Sequence, residues 1–200
     1  MHHLETNQLF DNNNTMIRTF VQRDDPSAQK IQAIYWALKN GHTVIEHLVS
    51  IIEASKNGHT DVVELYLGDE RVDPSMLENV AIRHASKNGH TDIVKLLLDN
   101  EKVDPSARNN QAIIEASKNG HTDVVKLLLD NERVDPSARN NRAIIKASKN
   151  GHAAVVKHLL SDTRVDPSTY NNLAIRHASK NRHTDVVKLL LTDERVDPRQ

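Results

Sequence analysis

The sequence predicts an all-α fold, a helix-turn-helix solenoid of about five to six stacked repeats with short loops. Three observations predict it. The tetrad Val-Asp-Pro-Ser begins at Val72, Val103, Val134 and Val165, and Val-Asp-Pro-Arg begins at Val196, each 31 residues after the last. Punctuation obeys the same period: all six prolines follow an Asp, and five of the six glycines stand in Asn-Gly-His. Between these marks the apolar residues recur at three- and four-residue spacings, the signature of helices with one buried stripe.

The unit is legible in its most regular copy. In NQAIIEASK (110–118), Ala112, Ile113, Ala116 and Ser117 form a narrow small-residue stripe, so a first helix is expected that lets its neighbours approach closely. Asn119-Gly120 ends it, because Gly accepts the left-handed conformation at a helix C-terminus and Lys118 suits the negative end of the dipole. Thr122 and Asp123 are expected to cap a second helix, whose VVKLLL (124–129) is apolar except at Lys126, as in a helix sandwiched between others. Asp135-Pro136 stops helical continuation, and DNERVDPSARN (130–140) reads as a loop that reaches out and returns. One such unit leaves both apolar faces open, and only a stack buries them.

Totals bound the function. At 200 residues, 38% hydrophobic and 26% charged, the chain can build a real core. Twenty-six Lys plus Arg stand against 27 Asp plus Glu, which leaves no large uniform field for a polyanion or an anionic membrane. Cysteine is absent, so disulfides and thiolate metal sites are excluded and a reducing, intracellular setting, the cytoplasm, is expected. No apolar run approaches the length of a membrane span.

The stretch AIIEASKNGHTDVVKLLLDNERVD (112–135) resembles the ankyrin repeat, and the likeness extends over residues 25 to 200. The Gly-His turn followed by VVxLLL carries it, specifically so because it recurs. The resemblance implies stacked helical pairs, no catalysis, no cofactor and a protein partner held on a concave face lined by first helices and loops. The family's Thr-Pro-Leu-His, which ties the first helix to the adjacent loop, is replaced here by Gln-Ala-Ile-Ile and its variants, and the loop is two residues shorter. The Asn-Asn pairs at 109–110, 140–141 and 171–172 are the expected substitute for that network. This short-loop, Asn-rich style with VDPS is similar to ankyrin proteins of amoeba-infecting giant viruses, which would place the chain in a host cell's cytoplasm.

Two places break the period. Between Asn-Gly-His at 40–42 and at 57–59 the interval is 17 residues, so the loop is missing and HTVIEHLVSIIEASK (42–56) is expected to form one helix from about Thr43 to Lys56. The organisation that follows is a polar segment with a degenerate capping helix at 1–24, a truncated first repeat fused to the second at 25–50, and regular repeats at 51–200. The last copy carries Asn181-Arg182-His183, with Arg in place of Gly, and its VVKLLL (186–191) has little chain left to cover it. Self-association through this C-terminal repeat is therefore the alternative function, to be disrupted by a charge at Leu190.

Residue types of hydrolytic chemistry recur as Ser117, His121 and Asp123, but nothing supplies a strained nucleophile turn or an oxyanion hole, and repetition itself speaks for structure. No catalytic residue is assigned. The turn histidines His59, His90, His121, His152 and His183 would lie about 10 Å apart in a stack, too far to share a metal ion. The lysines at 87, 118, 149 and 180 read as ends of first helices whose charge the neighbouring acids cancel, and nucleic acid is not an expected partner. Recognition is expected where the copies differ: a strip of Arg83-His84, Ile114-Glu115, Ile145-Lys146 and Arg176-His177, with Leu77 and Tyr170 as anchors.

Overall fold

The computed structural model describes the backbone of residues 44–197 and the side chains of residues 51–197. Contacts divide the chain into Met1–His47 and Leu48–Gln200, and the second unit is described here by itself. The expected polar segment at 1–24 and residues 25–43 of the expected truncated repeat lie outside the described residues.

Ten helices follow one another in the described chain: α1 Val44–Asn57, α2 Thr60–Leu67, α3 Met76–Asn88, α4 Thr91–Leu98, α5 Ala107–Asn119, α6 Thr122–Leu129, α7 Ala138–Asn150, α8 Ala153–Leu160, α9 Thr169–Lys180 and α10 Thr184–Leu190. No strand occurs among the described residues. From α3 onward the longer helices pack on one another in series, α3 on α5, α5 on α7 and α7 on α9; the short ones form a second layer, α2 on α4 through to α8 on α10. The period of the sequence is thus the period of a two-layered stack. Helix α1 runs unbroken through Ser50, as the loopless junction requires.

The core is built of the constant letters. In one unit Ala112, Ile113, Ala116, Val124, Val125 and Leu128 are all buried, and Val134 of the loop joins them. A fully buried Val, Leu or Ile contributes about 1.5–3 kcal/mol relative to exposure, so this interlayer burial is the largest stabilising term.

The turn between the two helices is closed by Gly120 at φ 80 and ψ 19, as expected. Its missing Cβ matters a second time, because a Cβ there would stand 2.6 Å from His152 Nδ1 of the next unit. That histidine is placed by a hydrogen bond: His152 Nε2–H donates to the Lys118 carbonyl at 2.9 Å, and Asn150 Nδ2–H donates to the same oxygen at 2.7 Å. The pairing recurs on Lys56, Lys87 and Lys149. A carbonyl only accepts, so Nε2 carries the hydrogen.

This corrects the expected capping. The N-cap of α6 is His121 and no side chain caps it; Thr122 is already inside the helix. The residue at the capping position spends its side chain on the unit before it, as His121 does with the Lys87 carbonyl.

Each loop ends in a feature that the sequence did not announce. Arg108, Asn109 and Asn110 are left-handed in succession (φ 55, 54 and 60), and so are their counterparts at 77–79, 139–141 and 170–172. The turn is closed by Asn110 N–H donating to the Ser106 carbonyl at 2.7 Å. Left-handed backbone costs roughly 1–2 kcal/mol for a residue with a Cβ, and Asn tolerates it best after Gly. The second Asn offsets that cost by bridging units: Asn110 Oδ1 accepts from the Asp135 backbone N–H at 2.8 Å, and Asn79, Asn141 and Asn172 do the same with Asp104, Asp166 and Asp197. The Asn pair does tie first helix to adjacent loop.

Asn141 is buried, left-handed, and also donates from Nδ2 to Thr169 Oγ1 at 2.9 Å. Asn141→Ala is expected to cost roughly 2 to 4 kcal/mol in denaturant unfolding, from two lost hydrogen bonds and the strained backbone. Asn141→Gly should recover only the backbone part. Equal stability of Asn141→Ala and the parent would remove the bridging role.

Candidate interaction surface

The first helices and the left-handed tips beside them hold exposed or half-buried positions at which the copies differ. Positions 84, 115, 146 and 177 each stand in mid-helix on α3, α5, α7 and α9, four residues after 80, 111, 142 and 173 and three before 87, 118, 149 and 180. Spacings of four and three place each trio on one side of its helix.

The predicted strip lies here in part. His84, Glu115, Lys146 and His177 are half-buried, Arg83 is half-buried and Arg176 exposed. Ile114 and Ile145 are not surface residues: they are 4% and 7% exposed and belong to the core. These two isoleucines drop out of the candidate surface, whereas Arg83 and Arg176 at the equivalent positions keep contact with solvent. Leu77 and Tyr170 are 63% and 57% exposed, both on left-handed turns. The Tyr170 hydroxyl accepts from Asn140 Nδ2–H of the preceding unit, which fixes its ring. Arg83 is held by the loop, its guanidinium donating to the Glu78 and Leu77 carbonyls at 3.0 and 3.3 Å. Beside it an open groove is lined by Glu78, Arg83, Arg108, Asn109, Gln111 and Arg139.

Charge on this face is lopsided. Every charged residue of α7 is a cation (Arg139, Arg142, Lys146 and Lys149), and α9 has no carboxylate. The acids of these two units sit on α10 and the loops, as Asp162, Asp166, Asp185 and Asp193 do. Burial, followed by the charges of Arg142, Lys149 and Lys118, holds the Lys146 ammonium below its ordinary range, while Glu115 opposes this weakly. Burial first, then Lys149, Lys146, Lys180 and Arg176, lowers the His177 imidazole below 6.5. His84 is lowered likewise by burial and by Arg83, Lys56 and Lys87. Counting acids against bases unit by unit concealed this arrangement; the spacing of Arg142, Lys146 and Lys149 would have revealed it.

Other constellations resolve as structure. Ser117 Oγ has no hydrogen-bond partner among the described residues, Asp123 accepts from Lys126, and the His121 ring is engaged with the Lys87 carbonyl. Among the described residues no three His, Asp or Glu side chains gather as a metal site would need. At the last unit Leu190 is fully buried and Leu191 is the exposed residue at 49%, so a charge at Leu190 would unfold the unit rather than probe its surface. No described helix is long and apolar enough to cross a membrane.

A profile of three ankyrin repeats matches residues 51–140 and again 134–200. The chain belongs to the ankyrin-repeat family, whose members are in general non-catalytic and mediate protein–protein interaction. No curated protein matches the sequence.

Two outcomes test this description of the residues. Ser55, Ser86, Ser117 and Ser148 bury hydroxyls that have no hydrogen-bond partner among the described residues. Ser117→Ala should therefore raise stability by roughly 1 kcal/mol in guanidinium unfolding, since an unpaired buried hydroxyl costs about that and Ala is the better helix former; a loss would reveal a hidden acceptor. For His84 and His177 the folded state binds protons less readily than the unfolded chain. Their contribution is fully present above pH 6.5 and is lost as pH falls through the depressed folded values. A His84→Gln, His177→Gln double variant should lose less stability than the parent between neutral and acidic pH, read by unfolding at each pH.

Proposed function

We propose that this chain is a non-catalytic scaffold that binds a protein partner through the first-helix face and the adjoining loop tips. The observation that carries this is the exposure of Leu77 and Tyr170 at rigid left-handed turns, at positions where the copies differ. A large side chain held in place loses little entropy on docking, and Tyr and Arg dominate binding hot spots. Arg83, His84, Lys146, Arg176 and His177 supply the varied polar surface between these anchors. The lack of cysteine supports a reducing, intracellular workplace such as the cytoplasm.

A second reading, self-association through the C-terminal repeat, draws on the exposed Leu191 and the half-buried Val187, whose counterparts Val94, Val125 and Val156 are fully buried. Arg182 opposes regular continuation: a copy stacked in register would bring a turn histidine against its Cβ, which at Gly151 would stand 2.6 Å from His183 Nδ1.

The deciding experiment compares proteins captured by the full chain and by a Leu77→Ser, Tyr170→Ser, Arg176→Glu variant of equal helicity. A partner lost only from the variant is the expected result. Partners retained undiminished would overturn the reading, and sedimentation showing growth with concentration that Leu191→Glu abolishes would put self-association in its place.

A further inference from the structure

We propose that the centre of this face, where α5, α7 and α9 lie side by side, is a docking site for a carboxylate-rich segment of the partner protein. This rests on the protein-binding reading above and specifies the partner's chemistry. The site is the cluster of Lys118, Arg142, Lys146, Lys149, His177 and Lys180. Arg142, Lys146 and Lys149 follow one another at four- and three-residue spacing on α7, so they share one side of it. Helices α5 and α9 pack on either side of α7, and the charge of Lys118 is felt at Lys146 as those of Lys146, Lys149 and Lys180 are at His177.

Three features make this more than a solvated helix surface. First, the cations are not needed as caps: the Lys118 and Lys149 carbonyls, the negative ends of their helices, already accept two donors each from the following unit. Second, they are not neutralised from within. Among the described residues the cluster makes one ion pair, Lys118 with Glu115 at 3.6 Å; Glu115 is shared with Gln111 and acts only weakly on Lys146. Third, α7 and α9 carry no carboxylate, and the acids of their two units stand on α10 and the loops, so repulsion among these cations is left standing in the free protein. A ligand bearing several negative charges relieves that repulsion as well as adding attraction, which gives it selectivity over a neutral one.

The extent of the patch favours a protein segment over a nucleic acid. Three helices about 10 Å apart are crossed by roughly ten residues of extended chain. A nucleic acid would run beyond the patch, over a molecule of net charge -1 with acidic loops, and would find 3% aromatic residues for base stacking.

The test uses the full chain, a fluorescein-labelled Glu-rich peptide of about ten residues, and a single-stranded oligonucleotide of matching charge. Peptide binding by anisotropy should weaken steeply as salt rises past about 0.1 M. It should fall about tenfold or more in an Arg142→Glu, Lys146→Glu, Lys149→Glu variant, and be unchanged by Lys126→Glu, Lys157→Glu on the second-helix layer. Should the triple variant lose helicity, Lys146→Gln alone should still weaken the peptide measurably. Failure of the peptide to bind at low salt, or binding indifferent to these changes, overturns the proposal. An oligonucleotide that binds more tightly than the peptide and is lost in the triple variant also overturns it. If a partner captured by the full chain still depends on Leu77 and Tyr170, the protein-binding reading survives either loss.

Discussion

Everything in this molecule depends on each helical pair being buried by the next. No pair has a core of its own: Val124, Val125 and Leu128 are closed off by residues of both neighbouring units. Stability in such an array is a sum of nearest-neighbour terms, and magnitudes say which term leads. Several buried aliphatic side chains per unit, each contributing about 1.5–3 kcal/mol, outweigh three or four inter-unit hydrogen bonds of about 0.5–1.5 kcal/mol each. The hydrogen bonds have another office. Apolar burial is indifferent to sliding by part of a turn, whereas the Lys118 carbonyl meets Asn150 and His152 in one register only.

The same division explains why the constant text is chemically silent. Ser, His and Asp would catch the eye in any search for catalysis, yet the recurring ones serve the stack. The histidine and the Asn two residues before it satisfy the preceding Lys carbonyl, and the Asp of Val-Asp-Pro-Ser accepts from the Ser backbone and hydroxyl two residues on. Arg133 and Arg164 add a further line, donating to the Val103 and Val134 carbonyls of the units before. A residue repeated at a fixed interval meets the same neighbour each time, and the neighbour is what it serves.

The fold was legible because its signal is redundant: a 31-residue period survives local errors in any one copy. The loopless junction, the glycine turns and the bridging Asn pair followed from local rules applied to a few letters. What escaped depended on the third dimension. Thr122 and Asp123 look like caps in the sequence, but the helix begins one residue earlier and its N-cap side chain points to another unit. Ile114 and Ile145 occupy the same alignment column as Arg83 and Arg176, and a column cannot say that its aliphatic members turn inward. Leu190 and Leu191 are adjacent and alike in type, yet they differ between full burial and 49% exposure because a helix turns about 100° per residue. The three successive left-handed residues had no sequence signal beyond Asn itself, since Leu77, Arg108 and Tyr170 are unusual occupants of that region.

The last copy separates two reasons for glycine that the others confound. Gly89, Gly120 and Gly151 are left-handed, and each also lies where a Cβ would run into the ring of the next histidine. Arg182 has the same backbone, φ 61, and carries a Cβ, while no turn histidine of a following unit packs on it among the described residues. The conformation alone is therefore tolerable, at roughly 1–2 kcal/mol. What the internal turns cannot tolerate is the side chain, because the space belongs to the neighbour. Glycine at these turns is thus a requirement of stacking more than of turning, which is why it marks the repeat so faithfully wherever one unit receives another.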